Sequence, residues 1–293
     1  MSTANTSVWG KVNQYLSLIK FSHTVFALPF AFIGFTLAVV YDQQHFEWHL
    51  LIKMLLCMVF ARTAAMSFNR YLDRSFDAAN PRTANREIPA GVIKPEHALW
   101  FTIFNSVAFV VTTLFINRTV FLLSLVALFV ILFYSYTKRV TALCHLVLGV
   151  GLALSPLGAY MAVTGYFSWL PVLFSLAVFT WVAGFDIIYA LQDEEFDRSH
   201  HLHSIPAALG KRRALLVSDA LHVLAGLFII AAGVVGQFHW LYWVGATIYI
   251  GLLIYQHMLV SPNDLSRVNM AFANTNGLAS ILFAVFTILS LLI

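Results

Sequence analysis

The chain has 293 residues, of which 60% are hydrophobic and only 10% are charged, and its mean hydropathy is +0.81. Soluble globular domains carry about 25% charged residues, so this composition excludes that class and predicts an integral membrane protein surrounded by lipid. The formal net charge of +4 is too small to indicate a nucleic-acid partner. We infer no obligate protein partner.

Apolar runs of about bilayer length follow one another along the chain. A transmembrane helix needs roughly 20 apolar residues, and such runs lie at 21–40, 50–69, 97–116, 119–136, 141–163, 168–191, 214–235, 239–260 and 271–293. They predict an all-α bundle of about nine transmembrane helices around a central cavity. Residues 1–20 lack the apolar core and cleavage site of a signal peptide. Cys57 and Cys144 lie inside apolar runs and are expected to be free buried thiols.

The basic residues predict the orientation of these helices. A cytoplasmic N-terminus places all Lys and Arg except Lys53, Arg62 and Arg118 on the cytoplasmic side, which is 14 of 17. This is the bias that the positive-inside rule expects. We therefore predict a multi-pass protein of the inner (cytoplasmic) membrane, with its two longest loops, about 70–96 and 192–213, on the cytoplasmic side.

The same two loops hold most of the acidic residues, which the orientation does not require. Asp73 and Asp77 recur as Asp193 and Asp197 after 120 residues, and each pair is followed by Ile-Pro-Ala, at 88–90 and 205–207. This recurrence predicts one transmembrane domain, 1–293, with two related halves, roughly 20–140 and 141–260, and a final helix at 271–293. We expect the acidic ends of the two halves to meet.

Helical spacing aligns these acids with neighbouring polar residues. Asn69, Asp73 and Asp77 are spaced i, i+4, i+8, so a helix that continues through them carries all three on one stripe. The spacing i, i+7, i+11 places a second group on one face of the sixth span: Asp186, Asp193 and Asp197.

Facing pairs of carboxylates are suited to hard cations. Mg²⁺ prefers oxygen ligands and is commonly held by one or two carboxylates plus substrate phosphates. The pairs therefore predict Mg²⁺ bound against a diphosphate, with Arg82 and Arg86 on the remaining phosphate oxygens. The alternative is two solvated loops with surface ion pairs, such as Asp73 with Arg70 or Arg74. Two copies at matching helix ends favour the metal site.

Isolated polar residues in the spans are further candidates, because a charge there costs about 2.5–3.5 kcal/mol on insertion scales. Arg62 and Asp186 either form a structural pair or line a substrate cavity, Asp186 near an acceptor and Arg62 near an anionic group. Tyr134 and Lys138 share a helix face at i, i+4, and Lys138 is either an interfacial anchor or a ligand. Among the loop histidines, His203 is the best candidate for a phosphate contact.

Four motifs stand in order at the predicted helix ends: "NRYLDRSFD" at 69–77, "RTANREIPAG" at 82–91, "YSYTK" at 134–138 and "DIIYALQDEEFD" at 186–197. They resemble the signatures of the UbiA superfamily of intramembrane prenyltransferases, and the resemblance covers nearly the whole chain. Arg70 stands where the family usually has Asp, and His203 stands where related sequences often carry Lys. The closest resemblance is to the branch labelled 4-hydroxybenzoate polyprenyltransferase-like.

The resemblance implies Mg²⁺-dependent transfer of a polyprenyl group from polyprenyl diphosphate to an aromatic acid. The implied acceptor is 4-hydroxybenzoate or 1,4-dihydroxy-6-naphthoate, in ubiquinone or menaquinone biosynthesis. The implied metal ligands are Asn69, Asp73, Asp77, Asp193 and Asp197. The substrate-binding residues that we expect are Asn69, Arg82, Arg86, Tyr134, Lys138, His203 and Arg62. The catalytic residues that we expect are Asp186, Tyr189 and Lys138.

A secondary transporter is the alternative from another functional class, because intramembrane charges and a twofold repeat occur in transporters as well. A transporter places its charges near the middle of the membrane, whereas these acids gather at one face. The position of the acids therefore favours the enzyme.

Overall fold

The computed structural model describes residues 8–20 and 26–293, and this part of the chain is nearly all-helical, as predicted. The described α-helices are α1 (Val8–Leu18), α2 (Leu28–Thr36), α3 (Trp48–Leu72), α4 (Arg74–Ala79), α5 (Pro95–Leu114), α6 (Arg118–Thr137), α7 (Cys144–Thr164), α8 (Trp169–Ala190), α9 (Glu194–Ser199), α10 (Ile205–Leu209), α11 (Lys211–Gly236), α12 (Trp240–Met258) and α13 (Asn276–Leu292). A π-helical turn extends α2 at Leu37–Tyr41, and another precedes α13 at Met270–Thr275.

Seven helices in the described part are long and apolar enough to cross a membrane: α3, α5, α6, α7, α8 with its extension to Ser199, α11 and the stretch Met270–Leu292. The predicted span 21–40 is a shorter apolar helix, Leu28–Tyr41, and residues 21–25 lie outside the described part of the chain. The predicted span 239–260 is α12, which is less apolar because it contains Gln256, His257 and several tyrosines. The chain is a multi-pass membrane protein.

Helix α8 is the most buried of these candidate spans, with α7 and α11 packed along it. Helix α3 pairs with α5, and α12 pairs with α13. Where α2 packs on α7, a Cβ added to Gly34 would lie 1.9 Å from the carbonyl oxygen of Pro156. Only glycine permits this approach. Pro156 lies inside α7 and removes one backbone hydrogen bond from that helix.

Aromatic side chains fill the core around α8. Trp181 is fully buried, with the rings of Phe30, Phe185 and Tyr249 at centroid distances of 5.4, 5.2 and 5.9 Å. Its indole N–H donates to Asn276 Oδ1 at 2.8 Å, so the buried donor is satisfied. This packing fixes α8, whose C-terminal end carries the second acidic group.

The regular α-helix is interrupted at each acidic group, at Asp73 after α3 and by the 3₁₀ turn Leu191–Asp193 after α8. Asp73 separates α3 from α4 with φ −86° and ψ 4°. Asp193 ends a 3₁₀ turn after α8 and precedes α9 with φ −104° and ψ 5°. A ψ near zero departs from the helical value of about −42° and redirects the chain. A helix that continues through Asn69, Asp73 and Asp77 is therefore not formed, whereas the second group lies on a helical stretch that runs to Ser199 with a 3₁₀ turn in it. Asp77 and Asp197 lie on separate six-residue helices.

Candidate active site

The two acidic loops contact each other across a long separation in sequence. Asn80 Nδ2 donates a hydrogen bond to Asp193 Oδ1 at 3.0 Å, and Arg82 Nε donates to the same oxygen at 2.9 Å. Arg82 Nη2 also pairs with Asp193 Oδ2, which makes the contact two-pronged. The first loop is thereby closed onto the end of α8.

Every one of the four predicted carboxylates is paired with a cation. The pairs are Arg139–Asp73 at 2.8 Å, Arg86–Asp77 at 2.6 Å, Lys138–Asp197 at 2.7 Å, and Arg82–Asp193. The acids come from the ends of α3 and α8, and the cations come from the first loop and the end of α6. The site is therefore a compact, charge-balanced group built from three separate parts of the chain.

Asp73 is held from both sides. Asn69 Nδ2 donates to Asp73 Oδ2 at 2.9 Å, and Arg139 donates to Oδ1 and to the carbonyl of Leu72 at 3.1 Å. Burial raises the pKa of the Asp73 carboxyl, and the Arg139 guanidinium offsets part of that rise. From the sequence alone, Arg139 is one of the basic residues that orient the helices, with no predicted role in the site. Its position directly after Lys138 was the available signal for a role in the site.

Asp77 and Asp197 each keep a buried oxygen, Oδ2, with no hydrogen-bond partner. Their residues are 6% and 0% exposed. Burial acts to lower the pKa of Lys138, but the adjacent Asp197 outweighs it and holds that pKa above its ordinary value. A buried carboxylate oxygen that no N–H satisfies is costly, and an ion or a water is the usual explanation for one.

These donors fit Mg²⁺ in a particular way. Among the described residues, no group of three or more His, Cys, Asp or Glu side chains could hold a metal ion alone. Mg²⁺ does not need such a cage, because it commonly takes one or two carboxylates and completes its shell with phosphate and water. The unpartnered oxygens of Asp77 and Asp197 are suited to such an ion, whereas Asp73 and Asp193 already accept hydrogen bonds from Arg139 and Arg82. The full ligand set, Asn69, Asp73, Asp77, Asp193 and Asp197, stays a prediction.

Tyr189 lies beside the Arg82–Asp193 pair. Its hydroxyl accepts a hydrogen bond from Arg82 Nη1 at 2.9 Å, and the guanidinium carbon lies 5.2 Å from the centre of the tyrosine ring. On its other side the ring packs against Phe272 at 4.3 Å. Tyr189 therefore helps to orient Arg82.

Asp186 pairs with His145, a residue that the sequence analysis missed. His145 Nδ1 lies 2.7 Å from Asp186 Oδ2. The pair between Arg62 and Asp186 that we considered does not form, because Arg62 Nη2 donates to the carbonyl of Lys20 at 3.3 Å. Helix α7 packs along α8 and so brings its histidine to Asp186. A single histidine in an apolar run carries no spacing signal, and only the fold reveals its partner.

An apolar cavity of about 500 Å³ lies between α3, α5, α6 and α7. Two predicted site residues, Arg62 and Tyr134, line it among mainly aliphatic and methionine side chains. Arg62 Nε is buried there without a hydrogen-bond partner. Helix α8 contributes no residue to the wall, so the cavity lies to one side of the most buried helix. Its apolar lining suits a hydrocarbon chain.

His203 and Arg70, the two departures from the family pattern, lie at the edges of this arrangement. The His203 side chain is exposed, and its backbone N–H donates to the carbonyl of Lys138 at 2.7 Å. Arg70 is buried, and its Nε donates to the carbonyl of Leu18 at 3.4 Å, which ties α3 to α1. Arg74 donates to the carbonyl of Tyr71 at 2.7 Å. Within the described residues, Asp73 therefore pairs with Arg139 instead of Arg70 or Arg74.

Comparison with known proteins identifies the family in which this arrangement occurs. The model of the UbiA prenyltransferase family matches residues 27–288. The chain belongs to this family. The match confirms the predicted superfamily. It supports an enzyme of the UbiA type and not the alternative, a secondary transporter.

Curated relatives of this UbiA protein include two 4-hydroxybenzoate octaprenyltransferases. The one from Paraburkholderia phytofirmans is 26% identical over 276 residues, which cover 94% of this chain and 96% of the relative. The one from Aliivibrio fischeri is 29% identical over 243 residues, which cover 81% and 82%. They confirm the resemblance to the 4-hydroxybenzoate polyprenyltransferase-like branch and the predicted enzyme class, an aromatic prenyltransferase.

Solved UbiA structures share the fold. A UbiA homologue from Aeropyrum pernix K1 is 33% identical and superposes with a TM-score of 0.82, covering 91% of this chain and 97% of that one. A homologue from Archaeoglobus fulgidus bound to GPP and Mg²⁺ superposes with a TM-score of 0.70 at 20% identity, covering 96% and 100%. A UbiA homologue from Archaeoglobus fulgidus has also been solved with Cd²⁺. A protein of this fold can therefore bind divalent metal ions.

Proposed function

We propose that the protein transfers a polyprenyl group from a polyprenyl diphosphate to an aromatic acid and that the reaction depends on Mg²⁺. The proposed acceptors are 4-hydroxybenzoate and 1,4-dihydroxy-6-naphthoate, in ubiquinone or menaquinone biosynthesis. Support comes from the family, from the names of its curated relatives, and from the Archaeoglobus homologue that binds GPP and Mg²⁺.

The group of four ion pairs carries this proposal. Each cation that now contacts a carboxylate has N–H groups that can instead donate to phosphate oxygens. Each carboxylate released in that exchange becomes an oxygen ligand for a divalent cation. A diphosphate with Mg²⁺ can therefore enter without leaving buried charges unpaired. The exchange assigns the diphosphate to Arg82, Arg86, Lys138 and Arg139.

These cations act on the leaving group. As the allylic carbon–oxygen bond breaks, its electron pair stays with the diphosphate, and N–H donors aimed at those oxygens stabilise the developing charge. Mg²⁺, when bound by the carboxylates, would supply Lewis acidity to the leaving group. Tyr189 holds Arg82 in the direction that this role needs. The apolar cavity accommodates the prenyl chain and keeps water from the allylic cation.

Other predicted residues are assigned to the acceptor side. Tyr134 and Arg62 line the apolar cavity, which supports a role for both in substrate binding, and the unpartnered Nε of Arg62 is proposed as a donor to an anionic group of the substrate. We assign Asp186 to the proton that the aromatic ring loses. His203 is assigned to the edge of the diphosphate site, since its backbone is tied to Lys138.

The proposal includes an orientation in the membrane. The distribution of Lys and Arg supports a cytoplasmic N-terminus and an inner-membrane location with both acidic loops in the cytoplasm. It also includes two related halves. In their support, Asp73 and Asp193 each stand between a long helix and a six-residue helix that carries a second aspartate.

Membranes that contain the protein test the proposed function. They would be incubated with Mg²⁺, a polyprenyl diphosphate and either 4-hydroxybenzoate or 1,4-dihydroxy-6-naphthoate, and the products identified by mass. Membranes with Asp193→Asn are the matched control. A prenylated acid formed only by the wild-type protein supports the proposal. Absence of product with both acceptors contradicts the acceptor class.

A further inference from the structure

We propose that His145 is a positioning residue for Asp186 and holds that carboxylate ready to take the proton that the acceptor ring loses. The inference rests on the proposed function and adds a residue that the family motifs in the sequence did not include. Its evidence is a chain of hydrogen bonds from α10 through His145 to Asp186.

The partners of His145 determine where its proton lies. The backbone N–H of Ile205 donates to Nε2 at 3.3 Å, and a backbone amide can only donate. Nε2 therefore accepts this hydrogen bond, which leaves Nδ1 as the nitrogen that donates. That N–H donates to Asp186 Oδ2 at 2.7 Å.

His145 and Asp186 differ in how far solvent reaches their side chains. The side chain of His145 is 4% exposed, whereas that of Asp186 is 17% exposed. The carboxylate is thus the group that a substrate can reach. Asp186 is also among the charged neighbours of Tyr134, which lines the apolar cavity. Asp186 can therefore contact an acceptor, and His145 acts through it.

His145 also connects Asp186 to the second acidic loop. Ile205 is the first residue of α10, and its N–H is one of the donors that a helix start leaves without an intrahelical partner. The same loop is tied to the start of α7 by Cys144 Sγ, which donates to the carbonyl of His203 at 3.5 Å. The orientation of Asp186 therefore depends on the loop being docked, which couples proton removal to a closed site.

The proposed reaction moves three electron pairs and one proton. The allylic carbon–oxygen bond breaks, and its electron pair leaves on the diphosphate. A pair of ring π electrons forms the new carbon–carbon bond, and the ring then loses a proton from the same carbon to Asp186. The electrons of that carbon–hydrogen bond restore the aromatic ring, and the protonated Asp186 stays hydrogen-bonded to His145.

Two substitutions of His145 test this assignment. His145→Asn retains an amide N–H near the Nδ1 position, whereas His145→Phe removes both polar contacts. We expect His145→Phe to lower kcat by about 10- to 100-fold, a part of what a general base contributes, with an unchanged KM for the polyprenyl diphosphate. His145→Asn should recover most of the lost kcat.

The decisive readout is a kinetic isotope effect with acceptor deuterated at the reacting ring carbon. A larger isotope effect in His145→Phe than in the wild type shows that proton removal has become slower. A purely structural role would leave the isotope effect unchanged, and that result would overturn the proposal. An isotope effect equal to that of the wild type, with a raised KM for the diphosphate, would overturn it as well.

Two controls keep this result separate from the proposed function. The wild-type turnover tests the function itself, so its failure is visible before any variant is compared. Adding His145→Phe to Asp186→Asn should cause no further loss of kcat, because a residue that acts only through Asp186 has nothing left to position. His239→Asn, on an exposed histidine before α12, should behave like the wild type.

Discussion

Lys138→Met removes the only cation that lies in ion-pair distance of the Asp197 carboxylate within the described residues. The distance from Nζ to Asp197 Oδ1 is 2.7 Å, and the side chains are 33% and 0% exposed. Removing one partner of a buried ion pair costs about 3–5 kcal/mol, because the other charge is left uncompensated. Water reaches part of Lys138, so we expect the lower end, about 3 kcal/mol. Methionine keeps the apolar stem of lysine, and the loss therefore reports the charge.

A second substitution separates this charge effect from a packing effect. Lys138→Met combined with Asp197→Asn should recover most of the lost free energy of unfolding, since no buried charge is then unpaired. Prenyl transfer should remain low in the double variant, because the site lacks both a cation and a carboxylate. Unfolding would be measured by titration with denaturing detergent in mixed micelles, and turnover would be measured in parallel.

The matched control is Lys94→Met, on an exposed lysine at the start of α5. Its free energy of unfolding should stay within about 0.5 kcal/mol of the wild type. If Lys138→Met were as stable as this control, the ion pair would not stabilise the fold. An unchanged KM for the diphosphate in Lys138→Met would make Lys138 an anchor instead of a ligand.

Three further predictions use other parts of the site. Asp193→Asn should lower Mg²⁺-dependent turnover at least about 100-fold without loss of folded protein. The substitution weakens the ion pair with Arg82 and removes a proposed metal ligand. Undiminished turnover would refute the metal assignment. Gly158→Phe adds a ring to the cavity wall, where a Cβ meets no atom within 4 Å. Gly158→Phe should lower turnover with long prenyl diphosphates more than with short ones. Gly251→Phe, on α12, where a Cβ also meets no atom within 4 Å, should not discriminate between the two lengths. Equal effects of Gly158→Phe on both lengths would contradict binding of the prenyl chain in the apolar cavity. Arg70→Met should lower the free energy of unfolding by about 1–3 kcal/mol, because the carbonyl of Leu18 loses its donor, and the KM for the diphosphate should not change; a raised KM with unchanged stability would place Arg70 in the site.

The membrane spans and the two acidic groups could be predicted from the sequence, because each depends on residues that are close together in the chain. The candidate spans follow from about 20 consecutive apolar residues, a length that the bilayer imposes on any sequence. The four aspartates stand out because a largely uncharged chain concentrates acids at two matching positions. Family motifs then add Arg82 and Arg86, which in the structure contact Asp193 and Asp77.

Residues whose roles depend on distant partners could not be found in this way. His145 is 41 residues from Asp186, and Arg139 is 66 residues from Asp73, so neither pairing leaves a spacing pattern. The break at Asp73 was also hidden, because the residues around it are compatible with a continued helix. The tertiary contact with Arg139, rather than local propensity, accompanies the turn there.

Binding of a polyprenyl diphosphate to the purified protein, with and without Mg²⁺, tests most directly whether the two acidic groups form one site. We predict that Mg²⁺ tightens binding to the wild type by about tenfold or more, which is about 1.4 kcal/mol. Asp77→Asn and Asp197→Asn should each remove most of that gain, because each takes away a buried carboxylate oxygen. Equal affinity with and without Mg²⁺, or a Mg²⁺ effect that survives both substitutions, would contradict a shared metal–diphosphate site.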